Sequence, residues 1–92
     1  MEIEFDPEKS AKNDRERGLS FEMVTALEWD KAHTIPDQRR DYGEERIIAF
    51  APMQGRLHVV CFSVRGDAYR IISFRKANQR EERAYEQATT NR

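Results

Sequence analysis

Ninety-two residues, 38% hydrophobic and 36% charged, make one domain with a single core and exclude a second lobe, so any active site must be shallow. The net charge of −1 hides an asymmetry: residues 1–64 hold nine Lys and Arg against thirteen Asp and Glu, whereas residues 65–92 hold seven against four. The basic end is the expected anion-binding surface, and the acidic remainder argues against a general nucleic-acid binder that gains affinity from a strongly positive domain.

In chain order, Glu2 to Phe5 alternates polar and apolar residues and predicts a short strand. Asp6-Pro7 reads as a helix cap and first helical position, opening a helix to Arg15 or Arg17 that Gly18 ends in the left-handed conformation. Ser20 then caps a second helix, with Leu19 stapled onto Val24 and with Phe21, Val24 and Leu27 on its buried face, so the N-terminal third is expected to be a helical hairpin. A charged, Gly-containing loop follows Thr34-Ile35-Pro36 and leads to a strand over Glu45–Phe50, with Ala51–Gly55 as the turn. Arg56–Val64 is apolar on both faces and predicts a central strand, and Arg65-Gly66-Asp67 turns into a last strand over Ala68–Arg75. Asn78 caps the final helix, with Glu81 reaching back as in a capping box, and the Gln-, Thr- and Asn-rich far end is expected to fray. The sum is a single α+β domain over residues 1–92: a small antiparallel sheet, an N-terminal helical hairpin and a C-terminal helix.

Cys61 is alone, which excludes an intramolecular disulfide and fits a reducing cytosol; in Val-Val-Cys-Phe it reads as a small buried hydrophobe. The chain shows no charged leader followed by an apolar segment and no run of the roughly 18 apolar residues that a membrane span needs, so a soluble, cytoplasmic protein is expected. Two histidines and one cysteine give no cluster at zinc-ligand spacing, and no Gly-rich phosphate loop or nucleophile elbow is present. Neither a metal nor a nucleotide cofactor is expected.

Residues 70–86 are the most informative stretch, because an apolar strand carrying Arg70 and Arg75 runs into a cationic helix start with Lys76 and Arg80. Arginine's planar fork of donors matches phosphate oxygens bidentately, and RNA is the expected ligand. Plain alternation sets Arg70 and Arg75 on opposite faces, about 16 Å apart along the strand, so that one phosphate engages both only across a bulge or bend. On that alternation Arg75 shares its face with Ser73 and Tyr69, and Arg70 with Ile72 and Phe74.

The order of elements, together with Phe5-Asp6, Lys9, Asn13, Gly18-Leu19-Ser20-Phe21, Glu44-Glu45-Arg46, Val59-Val60, Arg70-Ile71-Ile72-Ser73, Arg75-Lys76-Ala77, Arg80-Glu81 and Tyr85, resembles the BrnT family. Its members are toxins of bacterial type II toxin-antitoxin pairs with a fold similar to RelE ribonucleases. Two departures stand out: Glu16-Arg17 where the family commonly has Lys-His, and Phe74 where a small residue is usual.

The resemblance implies a metal-independent endoribonuclease in which the ribose 2′-hydroxyl attacks the adjacent phosphate and the 5′-hydroxyl departs. Such an enzyme aligns the attack, neutralises the transition state and supplies a base and an acid. Arg75 and Arg70 match the family's arginine positions and are the expected phosphate and transition-state contacts. Lys76, Arg80 and Lys9 are the expected RNA contacts, each weighed against a solvated helix end or a contact within the hairpin. His58 is the candidate general base, with His33 as the other histidine that could serve; a hydrogen-bonded core residue for His58 and an edge or loop residue for His33 are the stronger bland readings, and Glu45, Tyr69 or no residue at all are the alternatives. The implied partner is a BrnA-like ribbon-helix-helix antitoxin in a hetero-oligomer, with DNA reached only through that antitoxin. A catalytically inactive relative that binds the antitoxin as partner or corepressor is the rival reading, and a free-standing RNA-binding domain a third.

Overall fold

The structure of the protein is a computed structural model and describes residues 1–90. Its elements are β1 (Ile3–Glu4), α1 (Pro7–Arg17), β2 (His33–Pro36), β3 (Arg46–Met53), β4 (Arg56–Arg65), β5 (Ala68–Lys76) and α2 (Gln79–Thr90). They build one five-stranded sheet in the order β1-β5-β4-β3-β2, antiparallel except for the parallel β1–β5 pair. The α+β architecture, the short N-terminal strand and the central meander therefore agree with the sequence, and β2 is added at the edge beside β3. Both positions of the β3–β4 turn, Gln54 and Gly55, have positive φ, and β3 runs three residues further than the Phe50 end expected from sequence.

The expected helical hairpin is not formed. Helix α1 begins and ends as the sequence demands: the Asp6 carboxylate accepts the Glu8 N–H, Pro7 stands first, and Gly18 at φ 71° donates its N–H to Asp14. After it the chain makes 3-10 turns at Phe21–Ala26 and Trp29–Lys31 instead of a second α-helix. Phe21, Val24 and Leu27 are all buried and spaced by three, which is the 3-10 repeat, so the tighter winding keeps all three in the core. Ser20 makes no side-chain cap; the Phe21 N–H donates instead to Ser10 on α1, at 2.8 Å. The Asn13 amide locks the same turn by donating to the carbonyls of Leu19 and Phe74, at 2.8 and 2.9 Å. Asn13 is thus a structural tie between α1, the turn and β5.

The sheet has two unequal faces. Even-numbered β4 residues Val60 and Phe62 meet Leu19, Phe21, Val24, Leu27, Ile71 and Phe74 in the larger core, beneath α1 and the 3-10 turns. On the opposite face α2 covers a smaller cluster of Leu57, Val59 and Ala77, joined by Ile48, Phe50 and Tyr85. Helix α2 starts with the expected reciprocal cap, Asn78 Oδ1 accepting the Glu81 N–H and Glu81 Oε1 accepting the Asn78 N–H. It is helical through Gln87, Thr89 and Thr90, part of the far end where fraying is expected from sequence, and residues 91 and 92 of that end lie outside the described residues.

Phe74 is 1% exposed and packs 5.6 Å from the His58 ring in the larger core. Phe74→Ala is expected to cost about 3–5 kcal/mol in urea unfolding, against a change within about 0.5 kcal/mol for the exposed Arg80→Ala; equal curves would show that Phe74 is not a core anchor.

Candidate functional site

The geometry of the site comes from one irregularity. The pairing of β4 with β5 shifts between Cys61, opposite Ser73, and Phe62, opposite Ile71, which leaves Ile72 as an extra residue in a β-bulge. Directly opposed residues of an antiparallel pair share a face, and the shift inverts the parity of β5 beyond it. Arg70 opposes Ser63 and Arg75 opposes Val59, so both arginines emerge on the face that carries α2. The single strand expected from sequence set them on opposite faces; the bulge brings them together. It also places Tyr69 and Phe74 in the larger core, away from Arg75.

Rows across the sheet define this polar half-face. Arg46, Ser63, Arg70 and Glu4 stand in one row, and Ile48, Cys61 and Ser73 in the next. Arg75 lies in the row after, with Phe50 and Val59. The β4 partners of the two arginines are four residues apart, about 13 Å of strand, with Ser73 between. The Ser63 hydroxyl, buried in the row between Arg46 and Arg70, has no hydrogen-bond partner, the one such buried side-chain atom among the described residues.

Each cation here holds a carboxylate. Both Arg75 terminal nitrogens donate to Glu81, each at 2.8 Å, and Arg70 lies 3.8 Å from Glu4. Arg46 donates to Glu44 at 3.2 Å and stacks on Tyr42, 3.8 Å from the ring centre. Arg39, near enough to Arg75 for the two charges to repel, grips both oxygens of Asp37 at 2.8 Å. The Glu81 carboxyl is pushed down by the Arg75 bonds, and Arg75 is raised in return. Asp37 is buried against Cys61, whose thiol donates to it at 3.7 Å and is itself pushed up by burial. A bidentate carboxylate is the shape and charge of two phosphate oxygens, so Arg75 and Arg39 already display the geometry in which they would grip a phosphate.

His58 and Lys76 oppose each other across β4 and β5 on the other face, so the structure does not bring them to the arginine pair. His58 is 3% exposed, donates Nδ1–H to the Arg56 carbonyl at 2.7 Å, and its pKa is lowered by burial. Lys9 borders the bulged edge beside Ile72 and Ser73. Arg80, on the first turn of α2, borders an apolar groove with Ile35, Phe50 and Tyr85. Of the alternative bases, Tyr69 packs on Phe62 at 5.1 Å and Glu45 is exposed just before β3. Sequence reasoning did not single out Arg46, Arg39 or Glu81 as site residues; Arg46 was legible only as part of Glu44-Glu45-Arg46, and the loop that holds Arg39 carries no periodic signal.

Among the described residues no three or more His, Cys, Asp and Glu side chains come together as a metal site, and no helix is long and apolar enough to cross a membrane. A small α+β domain with arginines ranged over an open half-face of its sheet belongs to the class of compact domains that offer cations on a strand surface rather than in a deep pocket. Comparison with known families then gives the particular group: the model described as "Ribonuclease toxin, BrnT, of type II toxin-antitoxin system" matches residues 5–81, and the chain belongs to this family. The family is that of a ribonuclease toxin, and a type II toxin has an antitoxin partner. No curated protein matches the chain.

Since Arg39 lowers the Asp37 carboxyl from its ordinary 3.8, the pair's contribution is complete above that value and is lost as pH falls below it. Asp37→Asn is therefore expected to lower the urea midpoint at pH 7 and to flatten its decline between about pH 5 and pH 2. Parallel pH curves for the two proteins would contradict the pairing.

Proposed function

We propose that the chain cleaves RNA without a metal on the open half-face of the sheet, with Arg70 and Arg75 as its principal phosphate contacts, in a RelE-like arrangement. The observation that carries this reading is the bulge at Ile72, which sets the two arginines on one face with Ser73 between them. An uninterrupted strand would serve only one of them to a given phosphate.

In this reading the scissile phosphate replaces the Glu81 carboxylate in the fork of Arg75, and Arg70 neutralises the charge that grows on the non-bridging oxygens as the 2′-hydroxyl attacks. Glu81, lowered by Arg75 in the free protein, recovers basicity when the phosphate takes its place and accepts the 2′-hydroxyl proton; as the 2′-oxygen bonds to phosphorus the P–O5′ bond breaks, and the 5′-oxygen leaves with a proton taken from water, closing the 2′,3′-cyclic phosphate. Arg46, stacked on Tyr42, and Lys9 at the bulged edge hold the flanking phosphates, with Arg80 at the start of α2. His58 faces the other side of the sheet and has no part at this phosphate.

The antitoxin in this proposal is BrnA-like, a ribbon-helix-helix protein through which the hetero-oligomer reaches DNA. A segment that offers carboxylates to the same arginines would neutralise the toxin by the contact that Glu81 and Glu4 now make. The pairing of Arg39, Arg46, Arg70 and Arg75 in the free protein also favours a second reading, a relative that binds its antitoxin and does not cut.

Purified protein freed of antitoxin and incubated with total RNA in EDTA is expected to leave 2′,3′-cyclic phosphate ends. Arg75→Ala is expected to slow cleavage about a hundredfold or more while its unfolding curve stays that of a folded protein. Undiminished cleavage by the variant would remove Arg75 from the mechanism, and intact RNA with the folded wild type would point to a ribosome-dependent toxin or to the non-cutting reading.

A further inference from the structure

The face opposite the arginine row has a cleft of about 500 Å³ at the end of the sheet, lined by the last turn of α1, the β3–β4 turn and the ends of β4 and β5. Its polar lining is cationic: Arg17, Arg56 and Lys76 surround His58, with the amide of Gln54 at the rim. No carboxylate lines it. Arg17 and Lys76 make no ion pair among the described residues, and Arg56 is tied to the Ala77 carbonyl at 2.8 Å and to Glu82 at 3.6 Å. The contrast with the other face is direct, since Arg39, Arg46, Arg70 and Arg75 there already hold acidic side chains.

His58 is built into the wall rather than left at its surface. A carbonyl oxygen only accepts, so the bond to Arg56 puts the proton on Nδ1 and leaves the lone pair on Nε2. Nε2 has no partner among the described residues. Burial first, and then the charges of Arg56 on β4 and Lys76 on β5, favour the neutral imidazole against the opposing pull of the Arg56 carbonyl, and Arg17 on α1 is the third cation of the lining. An anion between them reverses that balance and lets Nε2 take a proton and donate. Met23 and Met53 supply polarisable apolar walls beside the charges. At φ 52° Gln54 holds the left-handed conformation that glycine or asparagine usually takes, which keeps an amide side chain at the cleft rim.

We propose that this cleft is a second phosphate site, which takes the phosphate of one ribonucleotide among Lys76, Arg17, Arg56 and His58 and rests its base on Met23 and Met53. It stands independently of the cleavage chemistry proposed for the other face. The phosphate has two sources, a terminal monoester or the backbone of a strand that wraps the sheet edge, and the same groups recognise either.

The imidazole resonance of His58, followed by NMR across pH in the intact protein, reads the site without disturbing the fold. With AMP added, the His58 titration is expected to move to higher pH; adenosine is expected to leave it in place. Lys76→Met and Arg17→Met, both at exposed positions, are each expected to weaken the AMP response at least about tenfold. A response to a short oligoribonucleotide lacking terminal phosphates, with none to AMP, would assign the site to the RNA backbone and still support it. An equal response to adenosine, no response to either phosphate source, or full responses in both variants would overturn the proposal.

Discussion

The bulge at Ile72 is the constraint on which the rest of the molecule turns. One extra residue in β5 lets Ile71 and Phe74, three apart, both reach the larger core, while Arg70 and Arg75, five apart, both leave it on the other side. Without it, any register that buried Phe74 would turn Ile71 out of the core and send one of the two arginines into it. Core packing and site geometry are therefore one problem with one solution. Bulges next to functional surfaces re-aim side chains in this way, at the cost of one unpaired position in the ladder.

Around that irregularity the domain divides its labour between the two sides of a single sheet. Helix α1 and the 3-10 turns cover one face, and α2 covers only half of the other because its start is pinned by the Asn78–Glu81 cap and its middle by the Tyr85 hydroxyl, 2.6 Å from the Lys31 carbonyl. The uncovered half is polar. Glu81 belongs to both systems: it caps α2 and fills the fork of Arg75, which couples the position of the helix to the state of the site. A phosphate that displaces Glu81 also removes half of the reciprocal cap, so binding is expected to loosen the first turn of α2.

Much of this was legible in the chain. Asp6-Pro7, Gly18 and Asn78 with Glu81 mark helix ends by local chemistry, and the meander follows from apolar runs separated by Gly turns, so those elements stand close to where the residues place them. The second helix misled because Phe21, Val24 and Leu27 fit an α-helical face loosely and a 3-10 face better, and only packing decides between periods so close. The arginines were legible as residue types, but their common face was not. A bulge is a property of how β5 meets β4, and neither strand alone encodes it. For the same reason the sequence grouped His58 and Lys76 with Arg75, whereas the register places them on the other side.

Whether Arg70 and Arg75 act on one phosphate is the central claim, and a double-mutant cycle tests it most directly. Rates of RNA cleavage for the wild type, Arg70→Ala, Arg75→Ala and the double variant are expected to be strongly non-additive, with a coupling of about 1 kcal/mol or more between residues five apart in sequence. Additive losses would mean that the two guanidinium groups serve separate phosphates, and the shared face made by the bulge would then carry no catalytic meaning.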